Sequence, residues 1–247
     1  MGSIILLSKF FLLTWQCLLK TSSFDLMKKI RVLKITFEQE IPQREIPRFR
    51  GAIIEKTGRG SILFHNHIGE NGLRYSYPLI QYKIIGKKGC LVCIDEGTEE
   101  IHTFLSQRNW NIQLGDQKMT LTIDSLAANN YTLNVWDQNF TYSIINWLAF
   151  NEENYKKYSE IADLGERIAF LERILTGNIL SFAKGVDYQV EKSINVHILN
   201  IQREFFTKYK GAVLQAFNIS FRTNFFIPDF IGLGKGVSTG FGIVKSL

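Results

Sequence analysis

Hydrophobic and polar residues alternate between residues 30 and 37 as they do in a β-strand with one buried face. The apolar side chains recur at every second position after one slip, which predicts a first strand. A helix is predicted to begin near Ile46, because Pro47 is tolerated in a first helical turn. Its apolar face is formed by residues three and four apart, namely Phe49, Ala52 and Ile53.

Two strands, a helix and a further strand are predicted next along the chain. Residues 79–85 and 90–94 are rich in β-formers and flank a Gly-Lys-Lys-Gly sequence that is typical of a hairpin turn. Residues 98–107 predict a helix with Thr98 as its N-cap. Residues 118–123 predict another strand. The order strand, helix, strand, strand, helix, strand is that of a ferredoxin-like domain.

A similar order of elements recurs in the second half of the chain. Residues 140–150 predict an aromatic strand, residues 151–163 a loop or short helix, and residues 164–183 a long amphipathic helix. Strands are predicted again over residues 194–201 and 212–224. The predicted fold class is therefore α+β, with two tandem ferredoxin-like (βαββαβ) domains.

The predicted domains exclude the first residues, whose pattern differs from the rest. Within residues 1–26, the stretch from Ile4 to Leu19 is strongly apolar but is broken by Lys9 and Gln16, so it is too short and too interrupted for a clear membrane span. We interpret them as a dispensable extension or a mis-assigned start, with a membrane or export segment as the alternative. The predicted domains are residues 27–138 and 139–247.

The net charge of the chain indicates the kind of partner that it binds. The net charge is +6 and the calculated pI is about 9.1, which favours a polyanion such as a nucleic acid. Cys90 and Cys93 are separated by apolar β-formers and have no second pair, so we predict buried thiols rather than a metal site. Three cysteines in all do not form a disulfide framework, and a reducing cytoplasm fits them.

The most specific sequence in the chain lies near its end, over residues 232–242. Two Gly-hydrophobic-Gly triplets flank five residues that include Lys235. Glycines allow positive φ angles and close approach of a ligand, and successive amides in such a turn can bind an anion. A P-loop and a dinucleotide fingerprint are excluded, since no helix can follow in the last five residues. The alternative is a glycine hairpin that closes a sheet without a ligand.

This pattern, Gly-h-Gly-x5-Gly-h-Gly with a basic residue in the spacer, resembles the glycine-rich loop of the RAMP superfamily of CRISPR proteins. Within that superfamily the chain looks most like the CRISPR-associated endoribonuclease, family six. Ile-Pro-Asp-Phe-Ile before the loop and Leu-Thr-Gly-Asn-Ile at residues 175–179 also resemble that family. The resemblance covers residues 27–247 and implies two ferredoxin-like domains that carry a C-terminal glycine-rich loop.

The resemblance implies an enzyme that cleaves CRISPR precursor RNA within its repeats. The ribose 2′-OH attacks the adjacent phosphate, and the products are a 2′,3′-cyclic phosphate and a 5′-hydroxyl. Neither a metal nor another cofactor is expected. The expected RNA-binding residues are those of the loop and two arginines of the basic helix, namely Gly232, Gly234, Lys235, Gly236, Ser238, Gly240, Gly242, Arg48 and Arg50. The arginines could equally form a solvated helix face.

Proton transfer in this reaction favours histidine, whose ordinary pKa is about 6.5. His65 and His67 lie in a polar, loop-like stretch and are our catalytic candidates, whereas His102 and His197 are predicted to be structural. Tyr75 and Tyr77 are candidates for orienting the phosphate or sharing the proton, with aromatic packing as the alternative for each. We include Lys83 as a candidate for stabilising charge, with a solvated surface lysine as its alternative.

A second function remains open at this point, that of a non-catalytic RAMP subunit that binds RNA in a CRISPR effector complex. The expected partner in either case is CRISPR repeat RNA, as pre-crRNA or crRNA. Other effector subunits and a second copy of the chain, as a homodimer, remain open as partners, whereas DNA and a membrane are not expected. The expected location is the cytoplasm.

Overall fold

The computed structural model describes residues 27–58 and 77–247, and its earlier part forms one sheet-based unit. In chain order its elements are β1 (Lys28–Glu40), α1 (Ile46–Thr57), β2 (Ile80–Ile85), β3 (Lys88–Ile94), α2 (Glu96–Glu100), α3 (His102–Leu105), β4 (Asn111–Leu114), β5 (Gln117–Thr120) and β6 (Ile123–Leu133). The main sheet is antiparallel with the strand order β2-β3-β1-β6. Strand β1, helix α1, strands β2 and β3, the short helices and strand β6 follow the predicted ferredoxin-like order.

The strand predicted over residues 118–123 is wrong in its place in the sheet. Its first half, residues 118–120, belongs to β5, which pairs with β4 in a separate small hairpin. The fourth strand of the main sheet is β6, which lies at an edge and is exposed along most of its length. Because both faces of an exposed edge strand can be polar, as at Ser125 and Asn130, the sequence shows no alternation there.

The helix predicted over residues 98–107 is also different in the structure. Two short helices, α2 and α3, meet at Ile101, and α2 begins after Asp95 rather than at Thr98. Thr98 instead donates a hydrogen bond from its hydroxyl to the carbonyl oxygen of Asp95, at 2.7 Å. The apolar residues still point inward as predicted, and both Ile101 and Phe104 are fully buried.

The later part of the chain forms a second unit with the same arrangement of strands. Its elements are β7 (Val135–Trp147), α4 (Glu152–Glu160), α5 (Leu164–Gly185), β8 (Val196–Tyr209), β9 (Ala212–Phe225) and β10 (Ile243–Ser246). The sheet is antiparallel with the order β10-β7-β9-β8, so its first and third strands lie at the centre. The predicted fold class, two tandem ferredoxin-like domains, is confirmed. Residues 226–242, with a 3₁₀ turn at Val237–Thr239, stand where a second helix would be expected.

Helix α5 forms as its sequence predicts. The side chain of Asp163 accepts a hydrogen bond from the backbone N–H of Glu166 at 2.8 Å and so caps the first turn. Its apolar residues recur at helical spacing, and the side chains that it buries are Phe170, Leu171, Leu175, Ile179, Phe182 and Ala183. The helix thereby covers one face of the second sheet.

The two units share a hydrophobic core. One cluster lies between α1 and the first sheet and includes Phe37, Phe49 and Tyr82. A larger cluster fills the second unit beneath α5 and continues onto the opposite face of the first sheet, where it includes Val92 and Cys90. Cys90 and Cys93 are fully buried free thiols, as predicted.

The helices and strands do not test the predicted domain boundaries. Residues 1–26 lie outside the described residues, and the division into residues 27–138 and 139–247 stays a prediction. In the structure β6 ends at Leu133 and β7 begins at Val135. No helix within the described ranges has both the length and the apolar character needed to cross a membrane.

Candidate functional site

The glycine sequence of residues 232–242, called the glycine loop below, leads directly into β10. Its two ends lie side by side, since the N–H of Leu233 donates to the carbonyl oxygen of Gly242 at 2.8 Å. The N–H of Gly242 donates to the carbonyl oxygen of Asn146, and that of Lys235 donates to Leu148, both at 3.0 Å. These bonds fix the loop to the end of β7, which is a central strand of the second sheet.

Several loop positions can hold only glycine. Gly234, Gly236, Gly240 and Gly242 all have positive φ angles, between 63° and 89°. A Cβ on Gly242 would lie 1.8 Å from the carbonyl oxygen of Leu233, a distance that no side chain can adopt. Close packing is by itself a sufficient reason for glycine at these positions. This agrees with the alternative, a glycine hairpin that closes the sheet without a ligand.

The same backbone also leaves donors free for a ligand. Among the described residues, the N–H groups of Gly234, Gly236, Val237 and Ser238 donate no hydrogen bond. Gly236, Val237 and Ser238 are successive residues. Gly236 is in the left-handed conformation, and the 3₁₀ turn begins at the next residue, Val237. Successive free amides of this kind form a concave donor surface for an anion such as a phosphate. The geometry thus fits an anion site as well as a tight turn.

The three basic residues that were predicted to bind RNA differ in their surroundings. Lys235 is exposed on the loop itself. Burial raises the pKa of the Tyr209 hydroxyl, and the nearby positive charge of Arg50 opposes that rise. Tyr209 packs against Phe241 of the loop with ring centroids 5.4 Å apart, so Arg50 lies near the loop. Arg48 instead donates to Glu45 at 2.9 Å and borders the turn between β4 and β5.

The first unit holds the entrance of the glycine loop through two side chains. The Tyr77 hydroxyl donates to the carbonyl oxygen of Gly232 at 2.7 Å, and the N–H of Gly232 donates to Oε1 of Gln81 at 3.1 Å. The amide nitrogen of Gln81 in turn donates to the Tyr77 hydroxyl at 2.9 Å. Both backbone groups of Gly232 are therefore satisfied by the first unit, and we call these three residues the Gly232 clamp.

Lys83 lies beneath the loop and is not the surface lysine that the sequence left open. Its side chain is fully buried, and within residues 27–58 and 77–247 its Nζ has no hydrogen-bond partner. A Cβ on Gly232 would lie 3.2 Å from that nitrogen. Burial lowers the pKa of Lys83 to about 7, because the charged ammonium loses its hydration there.

The remaining predicted catalytic residues cannot be placed. His65, His67 and Tyr75 lie outside the described residues. Tyr77 follows them two residues after Tyr75 and is the first residue of the second described range. The described structure therefore contains the predicted RNA-binding residues and Lys83, and it brings the glycine loop, Arg50 and Lys83 together.

Three features of the site were missed from the sequence. The Gly232 clamp depends on contacts between residues more than 150 positions apart. Tyr209 near the β8–β9 turn packs on the loop, and the sequence gives no sign of it. The burial of Lys83 was also missed, because Gln81 and Lys83 share one face of β2 while Ile80, Tyr82 and Ile84 share the other, a pattern that predicts an exposed polar face.

The sequence matches two family models from one protein family. The model described as the Cas6b N-terminal domain matches residues 28–132, and that of the Cas6b C-terminal domain matches residues 134–247. An uncharacterized protein of Methanocaldococcus jannaschii is 44% identical over 98 residues, which make up 40% of this chain. The matched part is 65% of the length of that archaeal protein.

Solved structures agree with the family models. A crystal structure of Cas6b is similar with a TM-score of 0.79 and 27% identity, and it covers 89% of this chain and 100% of its own. A crystal structure of the CRISPR RNA processing endoribonuclease Cas6b gives a TM-score of 0.67 and 26% identity with the same coverage. A Cas6 of Thermus thermophilus, at 8% identity and a TM-score of 0.51, shares the fold alone. Because the two family models together span residues 28–132 and 134–247, the chain belongs to the Cas6b family.

Proposed function

We propose that the protein is an endoribonuclease that cleaves CRISPR precursor RNA within its repeats to make guide crRNA. One observation carries the proposal. The fold matches, over 89% of the chain, a structure described as the CRISPR RNA processing endoribonuclease Cas6b. The free amides of the glycine loop support it, because a donor surface for phosphates is what an RNA-binding site requires.

In the proposed site the RNA backbone lies on the glycine loop. The N–H groups of Gly234, Gly236 and Ser238 face a phosphate, and the ammonium of Lys235 adds a positive charge at the rim. Gly232, Gly240 and Gly242 give the loop its shape. Arg50 extends the positive surface from the first unit, and Arg48 binds RNA beyond it. Contacts of this kind hold the strand without reading its sequence.

The proposed reaction is attack of the ribose 2′-OH on the adjacent phosphorus. The 2′-OH loses its proton, the bond to the 5′ oxygen breaks, and that oxygen gains a proton. We assign these two proton transfers to His65 and His67, whose ordinary pKa suits both directions near neutral pH. Tyr75 orients the phosphate. The products are a 2′,3′-cyclic phosphate and a 5′-hydroxyl, so the reaction needs neither a metal nor another cofactor.

Lys83 has a more indirect role in this proposal than its sequence indicated. Since its amine is fully buried beneath Gly232, RNA cannot contact it while the loop keeps this position. Burial favours the neutral amine in the free protein, but a phosphate bound at the loop favours the ammonium, whose charge acts more strongly in a dry interior than in water. Lys83 therefore stabilises negative charge at the loop from below, as a positioning residue.

The chemistry is tested with a labelled RNA that carries the CRISPR repeat encoded nearest to the gene. Incubation in EDTA should give one specific cut and a 5′-hydroxyl product. His65→Ala and His67→Ala should each lower the single-turnover rate by about 100-fold or more, since general acid–base catalysis contributes factors of this size. Binding of the RNA should stay unchanged. His102→Ala is the matched control, because His102 is exposed at the start of α3.

Two results would separate this proposal from the second function. Binding of the repeat RNA with no cleavage under any condition would contradict the nuclease and favour the non-catalytic RAMP subunit. Cleavage that disappears in EDTA and returns with Mg²⁺ would contradict the metal-independent reaction alone. Partners beyond RNA, namely effector subunits or a second copy of the chain, would appear as co-purifying proteins or as a dimer in sedimentation.

The role of the loop is tested separately by Lys235→Glu. Reversing this charge should weaken binding of the repeat RNA about 10-fold or more at 100 mM salt, because phosphate contacts dominate affinity. It should also make the dependence of affinity on salt shallower. An unchanged affinity would remove the glycine loop from the proposed RNA site.

A further inference from the structure

The two faces of the second sheet carry different kinds of side chain. Phe217 and Phe221 of β9 point into the core beneath α5. Because side chains alternate along a strand, Asn218, Ser220 and Arg222 point to the opposite side of the sheet, which we call the open face. Arg222 is exposed there. The open face is therefore polar and charged where the other face forms the core.

The strand register places a second cation on the open face. Ser143 of β7 lies opposite Ser220, and Lys245 of β10 lies opposite Ser143. Two residues before Ser143, Thr141 lies opposite Arg222. Lys245 and Arg222 are both exposed, and the side chains between them are small and carry hydroxyls. A phosphate backbone can therefore reach both cations without meeting a bulky side chain.

An arginine and an aromatic ring pack together on the same face, in strand β8. Arg203 lies opposite Asn218, and Phe205 lies opposite Ala216, so both side chains are on the open face. The guanidinium carbon of Arg203 lies 4.6 Å from the centroid of the Phe205 ring. Arg203 is exposed and Phe205 is half-buried. Bases of single-stranded RNA stack on aromatic rings and on guanidinium planes, and the Arg203–Phe205 pair offers both.

The open face leads from the Arg203–Phe205 pair to the glycine loop. Tyr209 lies four residues after Phe205 and shares the same face. Its ring packs edge-on against Phe241 of the loop, with ring centroids 5.4 Å apart, and a Cβ on Gly236 would lie 2.9 Å from it. Arg203 is about 20 Å along β8 from Tyr209, at the usual rise of a strand. The face is therefore continuous with the proposed phosphate site.

The charges of the open face favour an anionic partner. Its paired positions in β7, β8, β9 and β10 hold no aspartate or glutamate. Glu204 points to the other face, because it lies opposite a core residue of β9. Within residues 27–58 and 77–247, no ion pair involves Arg203, Lys210, Arg222 or Lys245. A polyanion is thus attracted by these cations without repulsion from carboxylates on the same face.

The apolar surface of the open face is too small to favour a protein partner. Ile145, at 44% exposed, is the most exposed large apolar side chain at the paired positions of this face. A stable protein interface buries about 800 Å² on each partner, around an apolar centre with few charged residues. Single-stranded RNA instead requires cations and a stacking surface, and the open face supplies both.

We propose that the open face binds the single-stranded RNA next to the glycine loop, with one base on the Arg203–Phe205 pair and phosphates at Arg222 and Lys245. The inference rests on the proposed function, because it takes the RNA held at the loop as its starting point. It adds a second contact region, which lengthens the stretch of RNA that the protein holds. Stacking accepts any base, so this region adds affinity for an unpaired flank and little choice of sequence.

Arg203→Ala tests the pair with labelled repeat RNA, and fluorescence anisotropy at fixed, moderate salt measures affinity. We expect affinity to fall about 10-fold, because a base stack and a charge are both lost. Arg203→Lys should stay about threefold or more weaker than the wild type, since lysine keeps the charge but lacks the plane on which a base stacks. Single-turnover cleavage at saturating RNA should stay within about twofold of the wild type, because only binding is altered.

Lys208→Ala is the matched control. Lys208 is exposed on the same strand but lies opposite Val213, on the other face of the hairpin. Its removal takes away the same charge and should change affinity by less than about twofold, since an exposed charge away from the RNA is screened by salt. Arg222→Ala tests the phosphate contact, and the slope of log affinity against log salt should become shallower by about 0.7.

The outcomes separate this inference from the proposed function. If the wild-type protein does not bind the repeat RNA, the proposed function fails and the inference fails with it. If Lys235→Glu weakens binding and Arg203→Ala does not, the glycine loop keeps its role and the open face alone is overturned. Equal losses from Arg203→Ala and Lys208→Ala would also overturn it, since they would reflect overall charge. Full recovery of affinity in Arg203→Lys would overturn the stacked base.

Discussion

Lys83 illustrates at the scale of one residue how burial changes what a side chain can do. Its stem lies on β2 and its amine reaches the seam between the two units beneath Gly232. Among the described residues no acceptor compensates the lost hydration of that amine. The neutral form is therefore favoured in the folded protein, whereas the unfolded chain keeps the ordinary lysine pKa near 10.5.

This difference makes stability depend on pH in a defined window. Between about pH 7 and pH 10.5 the unfolded chain binds a proton that folded Lys83 lacks, so stability rises with pH across that window. We expect Lys83→Met to be more stable than the wild type at pH 6.5, by about 2 kcal/mol, and the advantage to shrink toward pH 9. Urea unfolding at pH 6.5, 7.5 and 8.5 measures it. Lys156→Met on exposed α4 is the control, and an equal response of both variants would contradict the prediction.

Gly242 shows, at the scale of one residue, that a position can require the absence of a side chain. Gly242 and Gly211 both have positive φ, of 63° and 83°. A Cβ would meet the Leu233 carbonyl oxygen at 1.8 Å in the first case and nothing within 4 Å in the second. The pair therefore separates steric clash from backbone strain.

We expect Gly242→Ala to lower the free energy of unfolding by about 3 kcal/mol or more, a size reserved for specific mechanisms such as this clash. Gly211→Ala should lower it by only about 1 kcal/mol, since only the left-handed conformation is disfavoured. Thermal unfolding followed by circular dichroism compares the two. Similar losses for both variants would mean that the loop shifts to accommodate the methyl group.

At the scale of an element, the glycine loop depends on side chains of the other unit for its position. The Gly232 clamp satisfies both the N–H and the carbonyl oxygen of Gly232. A different buried tyrosine, Tyr142, makes a comparable bond nearby, since its hydroxyl accepts the N–H of Ile227 at 2.9 Å. Tyr142 thereby holds Ile227, which lies in the segment before the loop.

Removal of the Tyr77 hydroxyl should therefore affect RNA binding as well as stability. Tyr77→Phe and Tyr142→Phe should each cost about 1–3 kcal/mol of stability, because each leaves a buried backbone or amide group unpaired. Only Tyr77→Phe should weaken repeat RNA binding, by about fivefold, since a freed Gly232 misplaces the phosphate donors after it. Anisotropy titration at fixed salt measures the difference. Equal RNA affinities in both variants would show that the clamp is structural only.

At the scale of the whole molecule, the two units share the larger of the two hydrophobic clusters. Val92 and Cys90 of the first sheet belong to the same cluster as Leu175 and Phe217 of the second unit. Neither sheet can expose that face without exposing apolar surface, which water disfavours by about 25 cal/mol per Å². The units are therefore expected to unfold together.

Calorimetry tests this cooperativity. The protein should unfold in a single transition in which the calorimetric and van't Hoff enthalpies agree. Val92→Ala should lower the midpoint of that one transition, by removing buried methyl groups worth about 1–2 kcal/mol. Two resolved transitions, with only the first unit affected by Val92→Ala, would contradict the shared core.

Prediction from sequence succeeded where one face of an element is buried and failed where none is. Helix α5 follows its sequence pattern closely, because its apolar stripe and its Asp163 cap are local signals. Strand β6 gave no such signal, since it lies at an edge with both faces largely exposed. The helix predicted over residues 98–107 is interrupted at Ile101, since tertiary packing places that residue in the core between two short helices.

The residues of the candidate site were likewise predictable from the sequence only in part. Its glycines and Lys235 could be found in the sequence, because the backbone conformation of a tight turn demands glycine at set positions whatever surrounds it. Arg50 and Tyr77 could be named but not placed, and the hydrogen bonds of Tyr77 and Gln81 to Gly232 could not be predicted.

The sequence by itself determined the two-unit ferredoxin-like fold class, helix α5 and the positions of the loop glycines, because these follow from periodicity, turn chemistry and local sterics. Only the tertiary structure decided that the units share a core, that Lys83 is buried, and that the loop rests on the first unit. Those properties depend on contacts between residues far apart in the chain, such as Tyr77 and Gly232. No local pattern records such contacts, since their free energy arises only when the two surfaces meet.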